Sequence, residues 1–311
     1  MTAISTAPPQ EAPAAAAATR RPLRSRLPWR KIVIYALAVI IAIYIVAPFL
    51  WIVDTSFMTE VDALTVPPQW IPQNPTLQNY EGFFHPNLTQ SLLGSRAIQD
   101  TPYALRNSAI VAISTALLNL LLATLAAYSF ARLRFRGSNA LMMLYLASRM
   151  VPGVAIIIPF YLVLRAMHLL DSYMGLILAY TTFTLPFTIW ILKDYFRTIP
   201  RDLEDAARVD RCNWFSMMWR VFLPISAPGL VAAAVFAFMT AWNEFLFALF
   251  LTSTIKTQTI PIIVANFAND LDVQYTFMAA AGVLAVIPPL ILALLFQRLI
   301  VQGLAAGSVK G

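Results

Sequence analysis

The chain has 311 residues, of which 59% are hydrophobic and 12% are charged, and its formal net charge is +7 at pH 7. This composition excludes an ordinary water-soluble domain, in which about a quarter of the residues are charged. The single cysteine, Cys212, also excludes an intramolecular disulfide framework.

The first 30 residues are predicted to be a disordered, basic tail. Residues 1–19 are a low-complexity run of Ala, Pro and Thr with little apolar surface to pack. Five arginines follow this run: Arg20, Arg21, Arg24, Arg26 and Arg30. Residues 31–311 are then predicted to form one transmembrane domain.

Charged residues after this tail are so sparse that they leave six long apolar windows. The windows are 32–53, 107–131, 137–164, 172–192, 221–255 and 273–297. Each is long enough to cross the hydrocarbon core of about 30 Å as a helix. Backbone groups in lipid must be satisfied within the segment, which favours helices over isolated strands. We therefore predict an all-α membrane protein with six transmembrane helices.

The connections between the windows differ in length. Residues 54–105 are predicted to form a long external loop with a short helix near 77–84, because the stretch is rich in Pro, Asn and Gln. Short turns are predicted at 132–138 and 165–172. Prolines inside or beside the spans are expected to mark kinks. These are Pro152, Pro159, Pro186, Pro228, Pro288 and Pro289.

The basic residues predict the orientation in the membrane. Seventeen of the 22 Lys and Arg residues belong to the termini and the even-numbered connections, which lie on one side of the six-span topology. The opposite side holds only Arg96, Arg106, Arg165 and Lys256. This asymmetry places both termini in the cytoplasm.

Residues 199–224, IPRDLEDAARVDRCNWFSMMWRVFLP, are unexpectedly charged for their surroundings. Pro200 suits a helix start, and acids fill the first turn after it, where the helix dipole favours negative charge. Leu203, Ala206 and Ala207 are expected to share one face, where small side chains let another surface approach the backbone closely.

A second helical piece is predicted within the same segment. Its larger apolar residues recur at three- and four-residue steps: Trp214, Met217, Met218 and Val221. Residues 199–224 therefore predict two short cytoplasmic helices, which either dock onto a partner or lie on the membrane surface.

The segment resembles the coupling motif of ABC importer permeases, whose pattern runs Glu-Ala-Ala, then Gly, then Leu-Pro. More closely, residues 30–311 resemble the carbohydrate-uptake permeases, the family of the second membrane subunit of the maltose transporter. Further matching motifs occur in the family's order: PPQWIPQNPTLQNY (67–80), RMVPGVAIIIPFYLVL (149–164), DSYMGLILAYTTFTLPF (171–187), AWNEFLFAL (241–249) and GLAAGSVKG (303–311).

This resemblance implies an ABC type I importer permease fold with a cytoplasmic coupling helix in a bacterial cytoplasmic membrane. It implies three partners besides membrane lipid: a second, different permease, a cytoplasmic ATPase dimer and an external sugar-binding protein. The coupling segment would dock onto the ATPase and pass its closure to the membrane helices. The residues carried over to this role are Leu203, Glu204, Asp205, Ala206, Ala207, Asp210 and Arg211.

Two positions depart from the family pattern. Asp205 stands where the family often has Glu, which is a mild change. Arg211 stands where the family has glycine, which would allow a positive φ between the two short helices. Because Asn tolerates the left-handed region better than most residues, Asn213 is expected to take over the turn.

The chain contains no G-x-x-x-x-G-K-[ST] phosphate loop. ATP and Mg²⁺ are therefore expected to bind the partner ATPase, and this chain is predicted to be a transport subunit without a cofactor or enzymatic activity of its own. By resemblance, the C-terminal Gly303, Gly307 and Lys310 belong to a tail that contacts the ATPase pair. The alternative is a frayed chain end.

Two charged residues, Arg149 and Glu244, fall inside apolar windows. A charge at that depth is costly, so both are expected to face the interior of the bundle, water or a partner, and an ion pair with each other is one alternative. Trp242, Asn243 and Glu244 offer an aromatic face and polar groups suited to a sugar, which makes them candidates for the substrate pathway. Interface or helix-packing roles are the alternative.

The leading hypothesis is one permease subunit of an ATP-driven sugar importer. The alternative is a self-sufficient secondary transporter of a small polar solute, although no convincing internal repeat supports it. A membrane enzyme would need a nucleophile–base or metal constellation, and neither is apparent in the sequence. The two histidines, His85 and His168, are far apart, and no aromatic-basic surface predicts nucleic acid as a partner. The sequence does not identify the sugar.

Overall fold

The computed structural model of the protein describes residues 29–85, 96–133, 135–268 and 273–308, with side chains as far as residue 301. Every regular element in these ranges is a helix, which confirms the all-α prediction. The helices are α1 (Trp29–Ser56), α2 (Glu60–Ala63), α3 (Gln78–Phe84), α4 (Arg96–Arg132), α5 (Ser138–Ser148), α6 (Gly153–Ala166), α7 (Tyr173–Thr198), α8 (Asp202–Val209), α9 (Trp214–Ile225), α10 (Ala227–Trp242), α11 (Leu246–Leu251), α12 (Ile260–Phe267) and α13 (Tyr275–Ser308).

The chain divides into two units, residues 1–48 and 49–311. Residues 1–28 of the predicted tail lie outside the described residues. The packing described below lies entirely within the second unit.

The described residues contain four helices that are long and apolar enough to cross a membrane unbroken. They are α1, α4, α7 and the Tyr275–Val301 part of α13. Two bent pairs, α5 with α6 at 95° and α9 with α10 at 80°, raise the number to as many as six when each pair is counted as one broken span. Both bends lie beside a proline that the sequence marked, Pro152 and Pro228.

The two bent pairs correct the expected course of two spans. The window 137–164 is interrupted at residues 149–152, between α5 and α6. The window 221–255 is interrupted twice, because α10 begins at Ala227 after the 80° bend and ends at Trp242. Apolar composition set the width of each window, whereas the bends depend on backbone geometry that composition does not encode.

Of the two structural predictions for residues 54–105, the short helix is confirmed and the end of the loop is wrong. The short helix expected near 77–84 is α3. The expected loop end at residue 105 is wrong, because α4 begins at Arg96. Residues Ala97, Ile98, Thr101 and Ala104 are buried at helical spacing, so packing extends this helix beyond its uncharged window.

Helix α4 lies at the centre of the bundle and packs against α7, α10 and α12. Its contacts rely on small buried side chains, among them Ala104, Ala112, Ala123 and Ala127. Small residues let helix backbones approach closely, which is how helices associate where lipid supplies no hydrophobic driving force. The end of this core at Arg132 carries residues 199–224, the segment predicted to couple to a partner.

Candidate functional site

Helix α8 is the first of the two short helices predicted in the coupling segment. It begins at Asp202, two residues after Pro200, and its first turn contains Asp202, Glu204 and Asp205. These acids lie where the helix dipole stabilises negative charge. The predicted helix start is therefore found where the sequence placed it.

The two faces of α8 have different surroundings. Leu203 and Ala206 are exposed, whereas Glu204 is 6% exposed and Ala207 is 5% exposed. The expectation that Ala207 shares an outward face with Leu203 and Ala206 is therefore wrong. Ala207 packs into the core with residues of α4, α7 and α9 instead, so the outward face is narrower than predicted.

Buried polar contacts attach the inward face of α8 to the end of α4. The Arg132 guanidinium forms an ion pair with Glu204, with both side chains buried. It also donates to the backbone carbonyl of Ile199 at 2.8 Å and lies 5.5 Å from the ring centroid of Phe222. The hydroxyl of Tyr128 donates to the second oxygen of Glu204 at 3.3 Å. Because a buried carboxylate needs such partners, these contacts fix α8 on the bundle.

The remaining polar residues of α8 lie on its exposed side. Asp205 is exposed and forms an i,i+3 ion pair with Arg208 at 3.5 Å. Asp210, which is also exposed, follows the last helical residue, Val209. Such exposed groups contribute little to stability, so they are available for contacts with another surface.

Arg211 itself adopts the positive φ that the family's glycine would provide, at 56°. Its N–H donates to the carbonyl of Arg208, and the N–H of Cys212 donates to that of Ala207, both at 3.0 Å. This pair of bonds is a Schellman motif with arginine at the position that glycine usually occupies. The expectation that Asn213 supplies the left-handed turn is wrong, because its φ is −71°.

Asn213 instead caps the second short helix. Its side-chain oxygen accepts the N–H of Ser216 at 2.7 Å. Helix α9 then includes a π-helical stretch, Met218–Phe222. Met217, Met218 and Phe222 are buried. The second short helix is thus confirmed, with Met217 and Met218 on its buried side, but Trp214 of the predicted apolar set is exposed. The π-helical stretch adds a locally wider turn that the periodicity did not indicate.

The three candidate pathway residues have structural contacts of their own. Trp242 is 3% exposed and donates its indole N–H to the carbonyl of Ala285 at 3.0 Å. Asn243 is exposed, and its amide donates to the carbonyl of Met239 at 2.8 Å. A cavity of about 800 Å³ is lined by Trp242 and Asn243 together with mostly apolar residues of α10, α12 and α13.

Glu244 lies in the break between α10 and α11. Its two carboxylate oxygens accept the backbone N–H groups of Phe247 at 2.9 Å and Ala248 at 3.1 Å. These are donors that a helix start leaves without an intrahelical partner. Glu244 therefore caps α11, and the cavity lining described above does not include it.

Arg149 lies in the break between α5 and α6 and is exposed. Its guanidinium carbon is 5.7 Å from the ring centroid of Phe187. Among the residues that the structure describes, Arg149 forms no ion pair with Glu244, so the suggested pairing is wrong.

The predicted C-terminal contact site is only partly described. Helix α13 extends to Ser308, so its backbone includes Gly303 and Gly307. Lys310 lies outside the described residues. Within the part of the chain that the structure describes, no group of three His, Cys, Asp or Glu side chains is placed to hold a metal ion.

Sequence reasoning missed the residues that attach α8 to the bundle. The sequence pattern places Arg132 in the turn 132–138 and Tyr128 in the apolar window 107–131, and indicates no contact of either with Glu204. Their contact with Glu204 joins positions 72 and 76 residues apart, which no local pattern reveals. The one available signal was a basic residue at the end of a transmembrane helix opposite an acid-rich segment.

The chain is similar to known proteins in both sequence and structure. Residues 119–306 match the family described as binding-protein-dependent transport system inner membrane component. The chain is 35% identical to the sulfoquinovosyl glycerol transport system permease protein SmoH of Agrobacterium fabrum, over 85% of this chain and 88% of the relative. It is 37% identical to the trehalose transport system permease protein SugB of Mycobacterium tuberculosis, over 86% and 93% of the two chains.

A third relative and a solved structure extend the match to nearly the whole described chain. The trehalose/maltose transport system permease protein MalG of Thermococcus litoralis is 31% identical, over 91% of this chain and 98% of the relative. A chain of a bacterial ABC transporter involved in the import of the acidic polysaccharide alginate superimposes with a TM-score of 0.73 at 21% identity, over 87% of this chain and 96% of that chain. At this identity the likeness shows the fold, which is the type I importer permease fold predicted from the sequence.

Proposed function

Because the chain belongs to the family of binding-protein-dependent transport system inner membrane components, we propose that it is one permease subunit of an ATP-driven sugar importer. It forms half of the translocation pathway, and a second, different permease forms the other half. An external sugar-binding protein delivers the substrate. The relatives' names support an oligosaccharide, a disaccharide or a related glycoside or polyol as the substrate class.

The main support for the coupling role is that the two faces of α8 have different surroundings. Its inward face is held by a buried ion pair between Glu204 and Arg132, while Leu203 and Ala206 are exposed on the other face. A short helix that is fixed to the bundle and presents a small apolar surface suits docking into a groove of a cytoplasmic ATPase. A helix that merely lies on the membrane would not need a buried charge pair beneath it.

The chemistry of ATP hydrolysis belongs to the partner in this proposal. The sequence has no phosphate-binding loop, so ATP and Mg²⁺ bind the ATPase dimer and this chain receives the resulting motion. Gly303, Gly307 and Lys310 contribute a further contact with the ATPase pair. Trp242 and Asn243, which line the cavity beside α10, are candidates for the sugar pathway, and Glu244 supports that region as a cap.

The orientation follows from the distribution of basic residues. Both termini, the end of α4 with the turn after it, and the end of α7 with the coupling segment lie in the cytoplasm of a bacterium, because 17 of the 22 bases belong to these regions. The turn between α6 and α7 and the residues 252–259 lie outside. This arrangement brings α8 to the ATPase and the opposite end of the bundle to the binding protein.

The test is reconstitution with and without partners. The chain alone in proteoliposomes should neither hydrolyse ATP nor accumulate sugar, whereas the co-expressed complex with its binding protein should take up sugar only when ATP is present. Uptake by the chain alone, driven by an ion gradient, would favour the self-sufficient secondary transporter, which the family and the relatives do not support. Ligand screening of the binding protein would then identify the sugar.

A further inference from the structure

Helices α4 and α7 are joined by polar contacts at both ends of the bundle. At the inner end, Arg132 of α4 donates to the carbonyl of Ile199, the residue that follows α7. At the outer end, Tyr173, the first residue of α7, donates its hydroxyl to the side-chain oxygen of Asn107 in α4 at 2.6 Å. Between these ties the two helices pack against each other along their lengths.

The inner end of this helix pair holds α8. Glu204 of α8 is bound by Arg132 and Tyr128, both of α4. Helix α8 is also joined to α7 through a linker of only three residues, 199–201. A displacement of α8 is therefore transmitted to both helices at once.

The outer end of the same pair holds the loop 252–259. The Asn107 amide donates to the carbonyls of Ile255 at 2.8 Å and Gln258 at 2.9 Å. Ser108, the next residue of α4, accepts the N–H of Ile260 at 2.8 Å. Both side chains are buried, so breaking these bonds would leave unpaired polar groups.

A second set of contacts holds the loop to the start of α7. Asp171, just before α7, accepts the N–H groups of Ser253 at 3.0 Å and Thr254 at 3.1 Å. Its own N–H donates to the carbonyl of Leu251 at 2.8 Å. The loop is therefore bound to α4 and to the α7 end independently.

The stretch of α4 between its two ties is unbroken. Asn107 and Arg132 are 25 residues apart, which is about 37 Å of helix. The proline of α4, Pro102, lies outside this stretch. Helix α7 contains Pro186 but continues unbroken from Tyr173 to Thr198, and α4 packs along it. The resistance of the pair to bending therefore rests mainly on the proline-free stretch of α4, whose two ends move together.

From these contacts we infer that α4 and α7 act as one strut that moves the outer loop 252–259 when α8 is displaced. Arg132 and Asn107 are the positioning residues at its two ends. The inference rests on the proposed function, because in that proposal the ATPase is what displaces α8. It adds a defined route by which ATP-driven motion reaches the outer surface, where the substrate is delivered.

The test measures the distance between the two ends directly. Spin labels at Arg201 and Lys256, in a Cys212→Ser background, report the separation of α8 from the outer loop. For the full chain in nanodiscs we expect one narrow distance distribution. In the double variant Asn107→Leu and Asp171→Asn, the bonds of Asn107 to the loop are lost and the charge-assisted bonds of residue 171 are weakened, and the distribution should at least double in width.

A matched control separates loss of the tie from loss of a buried amide. Asn119 is also a buried asparagine of α4, but its amide donates to Thr115 within the same helix. Asn119→Leu should leave the distribution narrow. Ser108→Ala, a milder change that removes one outer acceptor, should broaden it slightly and covers the case in which the double variant does not fold.

The assembled complex provides the functional measurement. In the double variant, sugar taken up per ATP hydrolysed should fall at least tenfold, while Asn119→Leu stays within twofold of the parent. Equal distribution widths in the double variant and the control, or an unchanged ratio of uptake to hydrolysis, would overturn the strut. If the parent complex shows no ATP-dependent uptake, the proposed function fails, and the nanodisc distances still decide whether the two ends are rigidly joined.

Discussion

The hydroxyl of Thr254 donates to the carboxylate of Asp171 at 2.7 Å and joins the loop after α11 to the turn before α7. The Thr257 hydroxyl and the backbone N–H groups of Ser253 and Thr254 bind the same carboxylate. Asp171 itself has a φ of 51°. A non-glycine residue in this conformation needs surrounding contacts to hold it, and the loop provides them.

These bonds predict a pH-dependent contribution to stability. Partial burial of Asp171 raises its pKa, but the hydrogen bonds outweigh that effect and lower the pKa to about 2. Since the pKa is lower in the folded state, the contribution is fully present above about pH 4 and is lost as the pH falls through about 2. Because the carboxylate is partly exposed and screened by water, we expect about 1 kcal/mol.

Asp171→Asn should therefore lower the thermal stability at pH 6, and the difference from the parent should shrink between pH 4 and pH 2.5. Thr257→Val, which removes one donor, should give part of the effect. Thermal unfolding in detergent at several pH values measures it. A difference that stays constant from pH 6 to pH 2.5 would contradict the role of the charge.

Arg211→Gly should stabilise the link between α8 and α9. A left-handed conformation costs a residue with a Cβ about 1 kcal/mol, which glycine avoids, although glycine also gains freedom in the unfolded chain. We expect a net gain of up to about 1 kcal/mol and retained sugar uptake. The control is Arg208→Gly, inside α8, which should destabilise by about 1 kcal/mol. Loss of uptake in Arg211→Gly with normal stability would reveal a functional contact of the guanidinium.

The turn at Arg211 illustrates what the sequence predicts and what it does not. The two short helices and the acidic first turn follow from local residue patterns, whereas the positive φ was expected from the glycine that the resembling family has at this position. The assignment of that φ to Asn213 failed because local preference favours Asn, whereas the Schellman bonds to Ala207 and Arg208 fix the position at Arg211. Local backbone bonds at the end of α8 outweighed the propensity of a single residue.

Contacts between distant residues of the candidate site also could not be predicted from the sequence. Hydropathy predicted the spans, but the inward direction of Ala207 depends on the packing of α4, α7 and α9 around it. The Glu204–Arg132 pair and the Asn107 ties join residues from 72 to 151 positions apart. Such contacts depend on the register between helices, which residue patterns within one helix do not specify.

We expect Glu244 to contribute mainly to the stability of the fold. Glu244→Ala removes the acceptors of two helix N–H groups and should destabilise by about 1–3 kcal/mol. Glu244→Gln keeps one acceptor and should cost about half as much. Thermal unfolding and sugar uptake measured together separate the two roles. Loss of uptake in Glu244→Ala at unchanged stability would place the carboxylate in the pathway instead.

The orientation is tested by cysteine labelling in intact cells. With Cys212→Ser as background, a cysteine at Gln73 should react with a membrane-impermeant reagent added outside. A cysteine at Ser138 should react only after the cells are opened, because it lies in the turn rich in basic residues. Labelling of both from outside would contradict the six-span topology with cytoplasmic termini.

The most direct test of coupling changes two neighbouring alanines of α8. Ala206 is exposed, so Ala206→Arg should leave the chain folded and inserted. Its long charged side chain would meet the ATPase groove, where it either clashes or loses its hydration. Sugar uptake by the complex should then fall more than tenfold, while Ala206→Ser retains it.

Ala207→Arg should impair the folding of the chain rather than its docking onto the ATPase. Ala207 is buried and lies three residues after Glu204 on the inward face of α8, so an arginine there would overfill the core and bury an additional positive charge. We expect reduced thermal stability of the isolated chain, which Ala206→Arg should not show. Measuring complex yield, ATPase activity and uptake for both variants distinguishes a docking defect at one position from a folding defect at the next. Normal uptake in Ala206→Arg would show that α8 is a passive surface helix, because a docked face cannot accommodate a new buried charge without a partner.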